Sequence, residues 1–202
     1  MTPTRIPRSA LAAALAAAAL WGCALLEPRP DPSRYFVLHA VASPGEPLRG
    51  VSVGLGPVTL PGYVRRPEIL TRASASEVLP SRVERWGEPL EDALPRVLVR
   101  DVEVDLATLD VRAYPWFRED QPDVQIQVDV ERFEREGGDG VVTARYEVRD
   151  LRAGGRVLAR EVEHRAPAAS PDAAATVDAL STALGSLARE LADAAREVAA
   201  PR

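Results

Sequence analysis

The sequence predicts an α/β domain: one mixed sheet containing an antiparallel meander, a central helix, and a long C-terminal helix packed on the sheet. Three observations predict it. Residues 124–165 hold three runs of β-type alternation separated by glycine turns. Residues 177–198 carry an apolar stripe at alternating spacings of three and four. Between 88 and 106, Leu90, Leu94, Val97 and Leu98 fall on one helical face, preceded by short β-type segments.

The chain opens on a different kind of segment. Arg5 and Arg8 precede an uncharged apolar run from Ala10 to Trp21. The run is too short for a helix that must cross a bilayer with roughly 20 apolar residues. A positive start, a short apolar stretch and small residues at its end read as an export signal over residues 1–22. Leu20-Trp21-Gly22-Cys23 is similar to a lipobox, with bulky Trp21 where a small residue is usual. Cys23 is the only cysteine, so no internal disulfide can form, and its place after the apolar run suits lipidation, by palmitate-like acyl chains, better than a core. Residues 23–33 then form a proline-rich tether, semi-rigid at ~3.1 Å per residue and able to span roughly 30 Å. The folded domain is expected over 34–202.

Its elements follow in order. Tyr35–Val41 is rich in aromatic and β-branched residues and reads as a strand, as does the alternating Val51–Val58. Leu60–Pro67 is a loop punctuated by Pro61, Gly62 and Pro67. Glu68–Ala73 and Glu77–Trp86 read as short strands around a turn at Pro80. The first helix is expected over Glu88–Leu106, kinked at Pro95 or beginning near Asp92, because an interior proline costs ~3 kcal/mol. Thr108–Tyr114 leads to Val124–Val130, where Val124, Ile126, Val128 and Val130 share a face. Phe133 has the opposite parity, which predicts a bulge near Glu131-Arg132. Turns at 137–140 and 154–155 lead into Val141–Asp150 and Arg156–Arg165. The last helix is expected from an N-cap at Ser170, with Pro171 in its first position. Its stripe of Val177, Leu180, Leu184, Leu187, Leu191, Ala194 and Val198 suits either a coiled coil, hence a homo-oligomer, or a helix laid on a sheet. The lack of complementary flanking charges favours the sheet.

Charge and motifs narrow the function. Removal of the signal with its two arginines takes the formal charge from −5 to −7. An acidic domain offers no footprint for nucleic acid. His39 and His164 stand in separate strand candidates with no ligands at metal spacing, so no metal site is expected. Neither G-x-S-x-G nor H-E-x-x-H occurs, and Gly54-Leu55-Gly56 is followed by Pro57 rather than by a phosphate-binding helix. No enzyme and no cofactor are expected. The candidate contact residues are Tyr63, Arg65 and Arg66 in the Leu60–Pro67 loop, and Trp116 in Tyr114-Pro115-Trp116-Phe117. Paired guanidinium forks suit carboxylates or phosphates, and aromatic rings with polar tips suit interfaces.

Tyr35-Phe36-Val37-Leu38, the run Val53–Ile69, Trp86-Gly87-Glu88-Pro89-Leu90 and Val128–Phe133, taken with Cys23, resemble the auxiliary lipoproteins of ABC-type transport systems, the PqiC/YmbA-like family. The departures are Gly87, where alanine is common, and Pro95 inside the helix. The resemblance covers essentially the whole mature chain. It implies a mixed α/β fold and a lipoprotein on the outer membrane, facing the periplasm. The partners it implies are MCE-domain and inner-membrane components of a system that moves lipids or other hydrophobic molecules. It brings no catalytic residues. The alternative is a carrier holding an acyl chain in its own apolar pocket.

Overall fold

The computed structural model describes residues 31–152 and 155–200. The signal segment, Cys23 and most of the tether lie outside them. Residues from Ser33 onward form one compact unit. Its strands are β1 (Arg34–Phe36), β2 (Val53–Thr59), β3 (Glu68–Arg72), β4 (Val78–Trp86), β5 (Val111–Ala113), β6 (Val124–Glu136), β7 (Asp139–Asp150) and β8 (Val157–Pro167), and its helices are α1 (Leu90–Asp105) and α2 (Ala173–Ala199).

β6 organises the sheet. One of its edges pairs with β7 along the full length of both strands, and β8 continues the antiparallel meander. The other edge is shared. The first half of β6 takes β2 in parallel, with β5 beyond it, and the end of β6 takes β3, followed by β4 and β1. The sheet is therefore mixed, as the sequence predicts. The register of β6 against β7 slips between Val130 and Arg132, which is the predicted bulge. The extra residue returns Phe133 to the buried face, where its ring lies 6.0 Å from Trp86.

α2 covers the inner face of the meander. All seven residues of its stripe are buried, and it packs chiefly on β7 and β8. The heptad-like spacing thus reflects a helix on a sheet, where the apolar stripe needs only one face to bury. Asp172 caps this helix, its carboxylate accepting the Ala175 amide at 2.8 Å. Ser170, the expected cap, donates to Asp172 instead. Asp172 stands immediately before the helix, where its carboxylate reaches the free amides directly, whereas Ser170 stands three residues before it.

α1 begins at Leu90 rather than Asp92 and runs through Pro95. The missing proline amide leaves only the carbonyl of Glu91 unpaired within the helix, and Glu91 is exposed, so water can replace the bond. Ala107 ends the helix with φ 45°, and Thr108 donates to the Glu103 carbonyl at 3.1 Å, closing the last turn.

Two strand readings are corrected. β1 stops at Phe36, and residues 37–50 form an irregular strap that includes His39. Buried Asp101 accepts the Val41 and Ala42 amides at 2.8 and 2.9 Å, and Gly45 and Leu48 donate to carbonyls at the end of α1. Those partners replace a strand ladder, so β-type composition does not decide the backbone. The turn between β3 and β4 lies at 74–76 rather than at Pro80, which sits within β4 opposite Leu70.

Candidate interaction surface

The Leu60–Pro67 loop folds around one turn of 3-10 helix at Gly62–Val64, fixed inward by buried Val64. Tyr63 is half-buried. Its hydroxyl donates to the Glu131 carbonyl at 3.4 Å, and the Arg72 guanidinium stands 6.0 Å from its ring centre. Burial, with the Glu134 carboxylate nearby, pushes the phenol pKa up. Tyr63 therefore fastens the loop to the sheet.

Arg65 and Arg66 are exposed. Arg65 donates to the Leu60 carbonyl at 3.1 Å and lies 3.9 Å from Glu91, while Arg66 adds positive potential beside Glu68. With Trp86 and Glu88 they line an open cleft of about 400 Å³. Its carboxylates offset the guanidiniums, so the cleft is zwitterionic rather than an anion trap.

The second surface is the loop after β5. Trp116 packs over Gly54, where a Cβ would lie 2.8 Å from the indole and 2.4 Å from Pro122. Gly56 has φ 128°, and a Cβ there would stand 2.5 Å from that of Tyr114. Both glycines of the G-x-G run thus let the aromatic loop settle on β2. Tyr114 and Trp116 meet edge to face at 5.3 Å. Trp116 is the support, whereas Tyr114 and Phe117 are 54% and 75% exposed. The structure thus separates the predicted residues into two surfaces, with Tyr63 and Trp116 holding each in place.

Asp123 ties this region together. It accepts the Ser52 amide and hydroxyl, both at 2.8 Å, and these bonds hold its carboxyl below the usual aspartate range. A depressed folded-state pKa stabilises the fold above the unfolded-state pKa. That stability disappears as pH falls through the folded-state value. Acid titration of unfolding should therefore show Asp123→Asn with a shallower loss of stability below about pH 4 than the parent. An identical slope would show that Asp123 carries no such linkage.

Sequence reasoning missed a buried charge. Glu134 is fully buried on the outer side of β6, paired with Arg72 and, at 3.1 Å, with Arg132. The alternation gave no sign of it, because a glutamate on the outer side of a strand normally meets water.

A family model described as ABC-type transport auxiliary lipoprotein component matches residues 36–192. The chain belongs to this family. The match takes in the strap, both candidate surfaces and most of α2, and the family is one of transport lipoproteins rather than of enzymes. Two crystal structures share the fold of this auxiliary lipoprotein. One, of an uncharacterized protein, is 18% identical over 83% of this chain and 99% of its own, with a TM-score of 0.65. The other is protein XCC0632 from Xanthomonas campestris, a DUF330 protein. It is 20% identical over 78% of this chain and 92% of its own, also with a TM-score of 0.65. A search of curated proteins finds no match. Among the described residues of this auxiliary lipoprotein, no helix is long and apolar enough to cross a membrane.

Proposed function

We propose that this lipoprotein is a docking subunit of an ABC/MCE-type intermembrane transport system for lipids or other hydrophobic molecules. Cys23 carries its acyl anchor in the outer membrane, and the domain faces the periplasm. It performs no catalysis. The observation that carries this reading is where the apolar surface has gone. α2 occupies the inner face of the meander, with Leu180, Leu184, Leu187 and Leu191 wholly buried. The clefts on the outer sheet face and beside Arg65 hold about 250 and 400 Å³, are open, and are edged by Arg145, Glu147, Arg66 and Glu88. An acyl carrier needs an enclosed apolar pocket instead.

Cys23→Ala tests the anchor and the carrier alternative together. One acyl chain binds a bilayer only marginally, at ~0.8 kcal/mol per buried CH₂, so a firm anchor requires several. The variant should leave the membrane fraction after a carbonate wash, and organic extraction of the purified protein should yield no stoichiometric acyl chain. Retention on the membrane would refute the anchor, and a stoichiometric lipid in the variant would establish the carrier.

A further inference from the structure

The aromatic loop adjoins an open sheet edge. β5 pairs with β2 alone, and no strand lies beyond it among the described residues. The Val53 amide donates to the Asp110 carbonyl and the Tyr114 amide to that of Leu55, both at 3.0 Å. Asp110, Arg112 and Tyr114 thus face β2, so Val111 and Ala113 turn their N–H and C=O groups toward the open edge. Such an edge is a template for another strand.

What borders this edge differs from what borders β8, the long free edge of the meander. β8 carries Arg160, Glu161, Glu163 and Arg165, all in ion pairs with neighbouring residues of this chain, which protects it from adding a strand. Beside β5 stand Tyr114 and Phe117, with rings exposed and a backbone already ordered on Gly54 and Gly56. Aromatic side chains on a settled backbone have only a few bonds left to fix, so they bind with little further loss of entropy. Beyond them the Glu119 and Asp120 carboxylates are exposed and make no ion pair among the described residues; Arg118 adjoins them, and Arg112, paired with Asp110, donates to the Asp120 carbonyl at 2.8 Å.

We propose that the β5 edge and the Tyr114–Phe117 loop form a docking site for an extended partner segment with apolar side chains next to lysine or arginine. The segment adds its backbone to Val111 and Ala113, seats an apolar side chain on Tyr114 and Phe117, and places its cation against Glu119 and Asp120. This is strand addition, with side-chain contacts supplying selectivity. The inference rests on the docking-subunit reading and names the partner's chemistry.

The test places a photoreactive benzoylphenylalanine at position 117 of the full-length, anchored protein in cells. Irradiation should give a protein adduct whose cross-linked peptide has apolar residues beside lysine or arginine. Glu119→Arg with Asp120→Arg should cut the adduct about tenfold by setting like charges against each other. Ala113→Pro removes an edge amide without touching the β2 ladder and should do the same. Should that proline disturb the fold, the charge-reversed variant alone decides. An adduct with a second copy of this chain, with lipid, or at undiminished yield in the charge-reversed variant overturns the inference. Absence of an adduct while transporter subunits still co-isolate places the contact elsewhere and overturns it too. Failure of the parent protein to co-isolate with any transporter subunit overturns the docking reading, and this inference with it.

Discussion

Glu134→Ala is expected to destabilise the domain by about 3 kcal/mol, the lower end of the cost of breaking a buried ion pair. The Glu134 side chain has no exposed surface, and the guanidiniums of Arg72 and Arg132 converge on one of its oxygens. Removing the carboxylate leaves two cations partly desolvated, with exposures of 15% and 24%. The lower end applies because each keeps other partners: Arg132 reaches Glu136 and Glu163, and Arg72 reaches the Ser74 and Ala75 carbonyls. Replacing Glu134 and Arg72 together by leucine should recover much of the loss, since uncharged residues of similar volume carry no desolvation cost. Urea denaturation of the purified protein measures both. An unchanged midpoint for Glu134→Ala would show that the network contributes nothing.

Gly140→Val should cost about 3 kcal/mol or more, by forcing α2 away from the meander. A Cβ at Gly140 would lie 2.5 Å from the Leu180 amide nitrogen and 2.7 Å from the Ala179 carbonyl carbon. These are helix backbone atoms held by successive hydrogen bonds, so the overlap cannot be relieved by turning a side chain. Overpacking of this kind typically costs 1–3 kcal/mol where neighbours can yield, and here they yield least. Gly138→Val is the control. It lies two residues earlier, in the turn before β7, with nothing within 4 Å of its Cβ, and its effect should stay near 0.5 kcal/mol. Thermal melts of the two variants that coincide would show that close approach at Gly140 is unimportant.

These two residues also mark what a sequence can show. The alternation of Val124, Ile126, Val128 and Val130, the parity slip at Phe133 and the stripe from Val177 to Val198 are local patterns, and each became the element it indicated. Glu134 and Gly140 owe their roles to parts of the chain 62 and 40 residues away, namely Arg72 and Leu180. The strap at 37–50 misled for the same reason: its amides are satisfied by Asp101, 60 residues distant from Val41. At the candidate surfaces, composition identified the aromatic loop and the arginine pair. Only the packing of Trp116 on Gly54 showed which ring supports the loop and which rings remain free. The signal for that assignment was present in Gly54-Leu55-Gly56, but it has meaning only once β5 lies beside β2.

The docking assignment is tested most directly by affinity isolation of the full-length lipoprotein from gently solubilised cell envelopes, followed by mass spectrometry of what comes with it. The account predicts an ABC-transport permease or ATPase, or an MCE-domain protein, in fixed proportion to the lipoprotein. It also predicts that this proportion falls when Tyr114 and Phe117 are replaced by serine. Isolation of the lipoprotein without any transport component, from cells that express such a system, would contradict it.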